Sequence, residues 1–119
     1  MNIAINGFGR IGRLLTRSLQ NEPNLNLVHI NSGAHVNTAC HLLKYDSVHG
    51  TFPEAVSEDS GHLTIGRDKI SVSGLSSPVE LPWKEKKVDI VFECTGLFSK
   101  RDGCEQHLKA GASKVLISA

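Results

Sequence analysis

Three glycines near the start of the chain, Gly7, Gly9 and Gly12, form a Gly-x-Gly-x-x-Gly pattern with Phe8, Arg10 and Ile11 between them. That spacing suits the cradling of a diphosphate. Gly7 permits a tight turn, Gly9 leaves room for backbone to approach a pyrophosphate, and Gly12 lets the next helix lie close on the preceding strand. The first amides of such a helix, with the positive end of its dipole, face the anion. Other reactive residue types make a weaker case. A nucleophilic thiol needs a base within reach and a positive setting. Cys94 ends an apolar strand and Cys104 faces inward beside Leu108, so both read as core thiols. Cys104 and His107 are one helical turn apart, but two ligands do not make a zinc site, and Cys40 and His41 fall on different faces. Asp46 and His49 read as loop capping, and Trp83 as a packing anchor. No catalytic or metal-ligating set emerges.

The elements around the glycines have the context that the pattern requires. Ile3, Ala4 and Ile5 are an apolar strand, and a helical pattern follows it. In that helix Ile11, Leu14, Leu15, Ser18 and Leu19 share one face, and Arg10, Arg13 and Arg17 share a solvated one. Pro23 ends the helix, and residues 25–30 form a second strand, completing a βαβ unit of about 30 residues. Residues 38–45 read as a short helix and 45–50 as a polar loop. Short alternating runs at 55–57, 62–65 and 69–72, separated by turn sequences, predict a small antiparallel meander over about residues 55–73. The apolar strand pattern resumes at 88–94. Residues 100–110 then form a helix with Cys104, His107 and Leu108 on one side and Gly111 as its cap, and a last strand spans 114–118. Parallel strands with near-continuous apolar runs imply helices on both faces, so the fold class is α/β: a Rossmann-type doubly wound parallel sheet with the meander inserted.

Bulk properties narrow the class further. At 119 residues the chain is one domain, 1–119, and a chain of this length buries roughly 65% of its unfolded surface. It is 39% hydrophobic and 21% charged, with no apolar run near the roughly 20 residues of a membrane span. A net charge of +1 makes no electrostatic case for nucleic acid or an anionic membrane. The first strand begins at once, which leaves no place for a targeting peptide, and three cysteines without metal-type spacing fit a reduced cytoplasmic setting.

Several segments together resemble the glyceraldehyde-3-phosphate dehydrogenase family. They are residues 6–13, 44–50, Pro82-Trp83, Glu93-Cys94-Thr95-Gly96 and 111–119. Erythrose-4-phosphate dehydrogenases are similar in the same places, and a stand-alone dinucleotide-binding module without catalysis is a further alternative. The resemblance implies a phosphorylating aldehyde dehydrogenase that uses NAD and a thioester in glycolysis. It also implies that the nucleophilic cysteine and its base histidine lie beyond this sequence, and that the complete subunit is a homotetramer. Carried onto this chain, it places Gly7, Phe8, Gly9, Arg10 and Ile11 along the pyrophosphate and Asn31 and Ser32 at the adenosine ribose. It places Ser76 on the adenine side, Thr95 and Gly96 under the ribose next to the nicotinamide, and Ser118 near the nicotinamide. Most family members have aspartate where Ser32 stands. Serine keeps a hydrogen-bonding group but removes the repulsion of a 2′-phosphate, which leaves NADP open as the alternative cofactor. No arginine or lysine lies between Gln20 and Leu43 to receive that phosphate, and His29 or His35 would do so only in part. The last strand, Val115-Leu116-Ile117, presents an apolar edge, from which self-association is expected.

Overall fold

A computed structural model describes residues 1–20, 22–32, 56–59, 62–65, 68–74, 81–95 and 101–117. The short helix expected at 38–45, the loop at 45–50, and Cys40, Ser76, Gly96 and Ser118 lie outside the described residues. The elements run β1 (Asn2–Asn6), α1 (Arg10–Leu19), β2 (Asn26–Asn31), β3 (Val56–Asp59), β4 (His62–Ile65), β5 (Asp68–Ser73), β6 (Ile90–Glu93), α2 (Arg101–Lys109) and β7 (Lys114–Ile117). The seven strands form one sheet in the order β3-β4-β5-β2-β1-β6-β7. β1 pairs in parallel with β2 on one side and β6 on the other, so the winding reverses at β1. β3, β4 and β5 are the expected antiparallel meander, but it is no separate appendage. β5 pairs in parallel with β2 and makes the meander an extension of the same sheet.

The two faces of the sheet differ in chemistry because side chains alternate along a strand. One face carries Ile3, Ile5, Ile30, Leu63, Ile65 and Ile70, all buried, and α1 covers it with Leu15 and Leu19. An irregularity between Ile3 and Ala4 lets β2 take up one extra residue, Val28. Leu27 therefore stays level with Ile3, while Ile30 stays level with Ile5. The other face carries Ala4 and Val91 under Leu81, Trp83, Val88 and Ala112, with α2 nearby. Toward the C-terminal ends of the strands this second face turns polar, with Asn6, His29, Asn31 and Glu93 buried.

The helix α1 is rotated from the expected face. Gly12, Thr16 and Leu19 are its buried residues, whereas Ile11 and Leu14 are 43% and 39% exposed. A Cβ at Gly12 would stand 2.2 Å from the Gly7 carbonyl oxygen and 3.4 Å from Ile5 Cγ2. Close approach of backbone to backbone thus decides which side of the helix faces the sheet, and it overrides the apolar stripe. Leu108 is a second correction: it is 46% exposed, and His107 alone turns fully inward while Cys104 is half-buried. Gly111 follows α2 as expected, its N–H bonded to the Leu108 carbonyl. At the far edge of the sheet, Leu116 and Ile117 are exposed, matching the expected apolar strand.

The glycines of the turn separate packing from access. Gly12→Ala is expected to cost about 1–3 kcal/mol through overpacking, despite the better helix propensity of alanine. A Cβ at Gly9 meets nothing within 4 Å, so Gly9→Ala is expected to leave stability nearly unchanged. Thermal melts of the two variants check both outcomes.

Candidate functional site

The winding reverses at β1, and open α/β sheets bind ligands beyond the C-terminal ends of the strands at such a point. Gly7 leaves β1 with φ of +104°, and its N–H bonds the Asn31 carbonyl at 2.8 Å. A Cβ on Gly7 would lie 2.8 Å from both Cγ2 and N of Thr95, the residue two past β6. The glycine turn and the β6 exit are therefore in direct contact, and only hydrogen at Gly7 allows it. The first backbone bond of α1 runs from Arg13 N–H to the Gly9 carbonyl at 3.0 Å, and its N-cap, Gly9, has no side chain to cap it. The preceding amides of Arg10, Ile11 and Gly12 have no acceptor within the helix, as at any helix start, and no acidic residue stands in the first turn. Phe8 is buried in the apolar core, and its carbonyl accepts from Arg13 Nη1 at 3.2 Å. Arg10 and Ile11 are exposed at the helix start.

On the polar face a chain of hydrogen bonds links the strand ends. Trp83 Nε1–H donates to His107 Nδ1 at 2.9 Å. Indole is only a donor, so His107 accepts at Nδ1 and carries its proton on Nε2, which donates to Glu93 Oε1 at 2.7 Å. Asn6 Nδ2 donates to the same oxygen at 2.7 Å. Asn6 in turn accepts at Oδ1 from Asn31 Nδ2, and Asn31 Oδ1 accepts from the Ser73 hydroxyl, both at 2.7 Å. His29 joins through Nε2 to Ser73 Oγ at 2.7 Å and through Nδ1 to Ser71 Oγ. Burial would raise the Glu93 pKa, but hydrogen bonds from His107, the Thr95 hydroxyl, Asn6 and the Thr95 amide hold it below its ordinary value. Burial, with Lys86 and His62 nearby, lowers the His29 pKa to about 4.

The expected site residues fall into groups on this frame. Gly7, Phe8, Gly9, Arg10 and Ile11 are consecutive in the turn and helix start beyond β1, and Gly7 lies against Thr95 just past β6. Asn31 ends β2 and Ser32 follows it, its N–H bonded to the Ser73 carbonyl at 2.8 Å. The Asn31 amide is engaged within the network, and Ser32 is buried. His29, considered as a partner for a 2′-phosphate, is 3% exposed with both ring nitrogens engaged by serines, so it is removed from that role. Sequence reasoning missed Asn6 and Glu93. The available signal was a polar residue at the inward position where each otherwise apolar strand ends.

A doubly wound sheet with an uncapped helix start and a glycine turn at its switch point defines a Rossmann-type dinucleotide-binding domain. Residues 1–101 match the family model described as glyceraldehyde 3-phosphate dehydrogenase, NAD binding domain, and the chain belongs to that family. It is similar over its whole length to the glyceraldehyde-3-phosphate dehydrogenases of Pseudomonas aeruginosa, at 51% identity, and Mycoplasma pneumoniae, at 46%. The enzyme of Geobacillus stearothermophilus is 45% identical over the same span. The chain covers 36%, 35% and 36% of these relatives respectively. Among the described residues, no helix is long and apolar enough to cross a membrane.

The two shifted groups on the polar face give stability a definite pH dependence. The unfolded chain protonates His29 near 6.5 and the folded chain near 4, so the stability tied to neutral His29 is complete above 6.5. It declines as pH falls toward 4, by about 3 kcal/mol in all. The Glu93 contribution, present above its unfolded value of 4.5, is lost at lower pH as the carboxylate protonates. The melting temperature is expected to fall between pH 7 and pH 4, with His29→Gln flattening that limb in a calorimetric series.

Proposed function

We propose that this chain holds a nicotinamide dinucleotide as the cofactor-binding part of a phosphorylating glyceraldehyde-3-phosphate dehydrogenase. The observation that carries the reading is the start of α1. Its first amides lack acceptors within the helix, its N-cap Gly9 has no side chain to supply one, and a Cβ at Gly9 would meet nothing within 4 Å. A diphosphate fits that helix start through backbone N–H donors and the helix dipole. Gly7, Phe8, Gly9, Arg10 and Ile11 line the pyrophosphate, and Asn31 and Ser32 lie toward the adenosine ribose, with Ser76 on the adenine side. Thr95 and Gly96 floor the second ribose, with Ser118 near the nicotinamide.

Bound there, the cofactor would supply the hydride acceptor for aldehyde oxidation. The residues of this chain hold and orient it. The thiol nucleophile and base of the reaction are not assigned to any residue in it, and domain 1–119 is read as the dinucleotide-binding unit alone. A cytoplasmic location fits this role, as do oligomeric assembly through surfaces that include the exposed β7 edge and a homotetramer for the complete enzyme. NAD is the first choice of cofactor. Ser32 stands where a carboxylate would accept from the ribose hydroxyls, but no cation among the described residues from Asn24 to Ser32 favours a 2′-phosphate.

Calorimetric titration of the 119-residue chain tests the reading. Saturable binding of NAD is expected, with weaker binding of NADP and no turnover of glyceraldehyde-3-phosphate. Gly9→Ala is expected to weaken NAD by at least about tenfold through steric exclusion of the diphosphate, at unchanged melting temperature. Ser32→Asp is expected to strengthen NAD by about 1–3 kcal/mol and to abolish NADP binding. An absence of binding with either dinucleotide overturns the proposal.

A further inference from the structure

Asn6 is the chain's one asparagine followed by glycine. That pair carries its own chemistry. The backbone nitrogen after an asparagine can attack the side-chain Cγ and close a five-membered imide. A glycine nitrogen, with no side chain beside it, attacks most readily. The Cγ–Nδ2 bond breaks, and Nδ2 leaves as ammonia with the proton that the backbone nitrogen gives up. Water then opens the imide at either carbonyl, which yields aspartate or its backbone-shifted isomer, isoaspartate.

The fold holds the reacting atoms apart. Gly7 N–H, the nucleophile, donates to the Asn31 carbonyl at 2.8 Å, and the Asn6 carbonyl accepts from Cys94 N–H at 2.8 Å. The peptide between Asn6 and Gly7 is thereby pinned to β2 on one side and to the end of β6 on the other. The side chain is pinned as well. Nδ2, the leaving group, donates to Glu93 Oε1, and Oδ1 accepts from Asn31 Nδ2, each at 2.7 Å. Ring closure needs rotation about both backbone and side chain, so these bonds must first break. Asn6 is 2% exposed, which keeps out the water of the second step.

The product does not fit the place that the asparagine leaves. An aspartate there would set an oxygen where Nδ2 donates, against the buried Glu93 carboxylate. Isoaspartate would lengthen the backbone of β1 where Asn6 pairs with both Asn31 and Glu93.

We propose that Asn6-Gly7 is a deamidation site which the native fold keeps closed, and whose modification makes unfolding irreversible. Each opening of the β1 end exposes the pair to the reaction, and a chain that has reacted cannot rebuild the bonds around Glu93. The lifetime of the domain then follows how often this region opens.

The test incubates the unsubstituted 119-residue chain at mildly alkaline pH, in buffer and in unfolding urea. The tryptic peptide that ends at Arg10 is followed by mass spectrometry for amide-to-acid conversion and for isoaspartate. Conversion of Asn6 is expected to be at least about a hundredfold slower in buffer, because a folded domain opens rarely. Similar rates in the two conditions overturn the proposal. The urea-treated chains are then returned to buffer, and the refolded fraction is separated from the rest. Reacted Asn6 is expected to be depleted from the refolded fraction, and an equal share in both fractions overturns the claim of irreversibility. Asn6→Asp is expected to lower the melting temperature by at least about 10 °C, and an unchanged melt overturns the same claim. If that variant does not fold, the partition of the unsubstituted chain decides.

Discussion

A single buried carboxylate organises the polar half of this domain. Glu93 sits where water is excluded, and an unpaired charge there would be strongly unfavourable. Its stability therefore depends on donors converging from three elements: Asn6 at the end of β1, Thr95 just past β6, and His107 on α2. Two of these donors are themselves held by further partners. Trp83 fixes the tautomer of His107, and Asn31, with Ser73 behind it, fixes the amide of Asn6. Hydrogen bonds that run head to tail in a low dielectric polarise one another, so such a chain is stronger than its separate links. The apolar face has no comparable demand for direction. It is satisfied by volume, with isoleucines and leucines of β1, β2, β4 and β5 packed beneath α1.

The turn beside this network is seated by backbone rather than side chains. Gly7 touches the β6 exit, and Gly12 lies against the Gly7 carbonyl. The same contacts draw α1 onto the sheet with its first amides lacking acceptors inside the helix. Stability and access thus share one turn, but they use different glycines. Gly7 and Gly12 permit close packing inside the protein, whereas a Cβ at Gly9 would meet nothing within 4 Å.

Much of this was legible in the residues. Apolar runs, the glycine spacing and the turn sequences placed the described strands to within a residue or two and located the meander. They also indicated helices on both faces. What stayed hidden depended on distance along the chain. Asn6 bonds Glu93 across 87 positions, and His29 bonds Ser73 across 44. Read singly, an asparagine or serine at a strand end looks like turn chemistry, because its partner is supplied by the fold. The facing of α1 was hidden for a related reason. Periodicity weighs side chains, and this helix is seated by a residue that has none. Leu108 shows the same limit on α2, since a helical stripe marks a face without saying how far the cover over it extends.

Trp83 is the chain's one tryptophan, fully buried, with the His29 ring edge-on at 5.5 Å and the His107 ring tilted at 6.0 Å between centroids. An indole flanked by two imidazoles is a fluorophore built into the domain's interior. Its emission reports on both rings without any label, and a change at either end of the polar chain reaches the same optical signal.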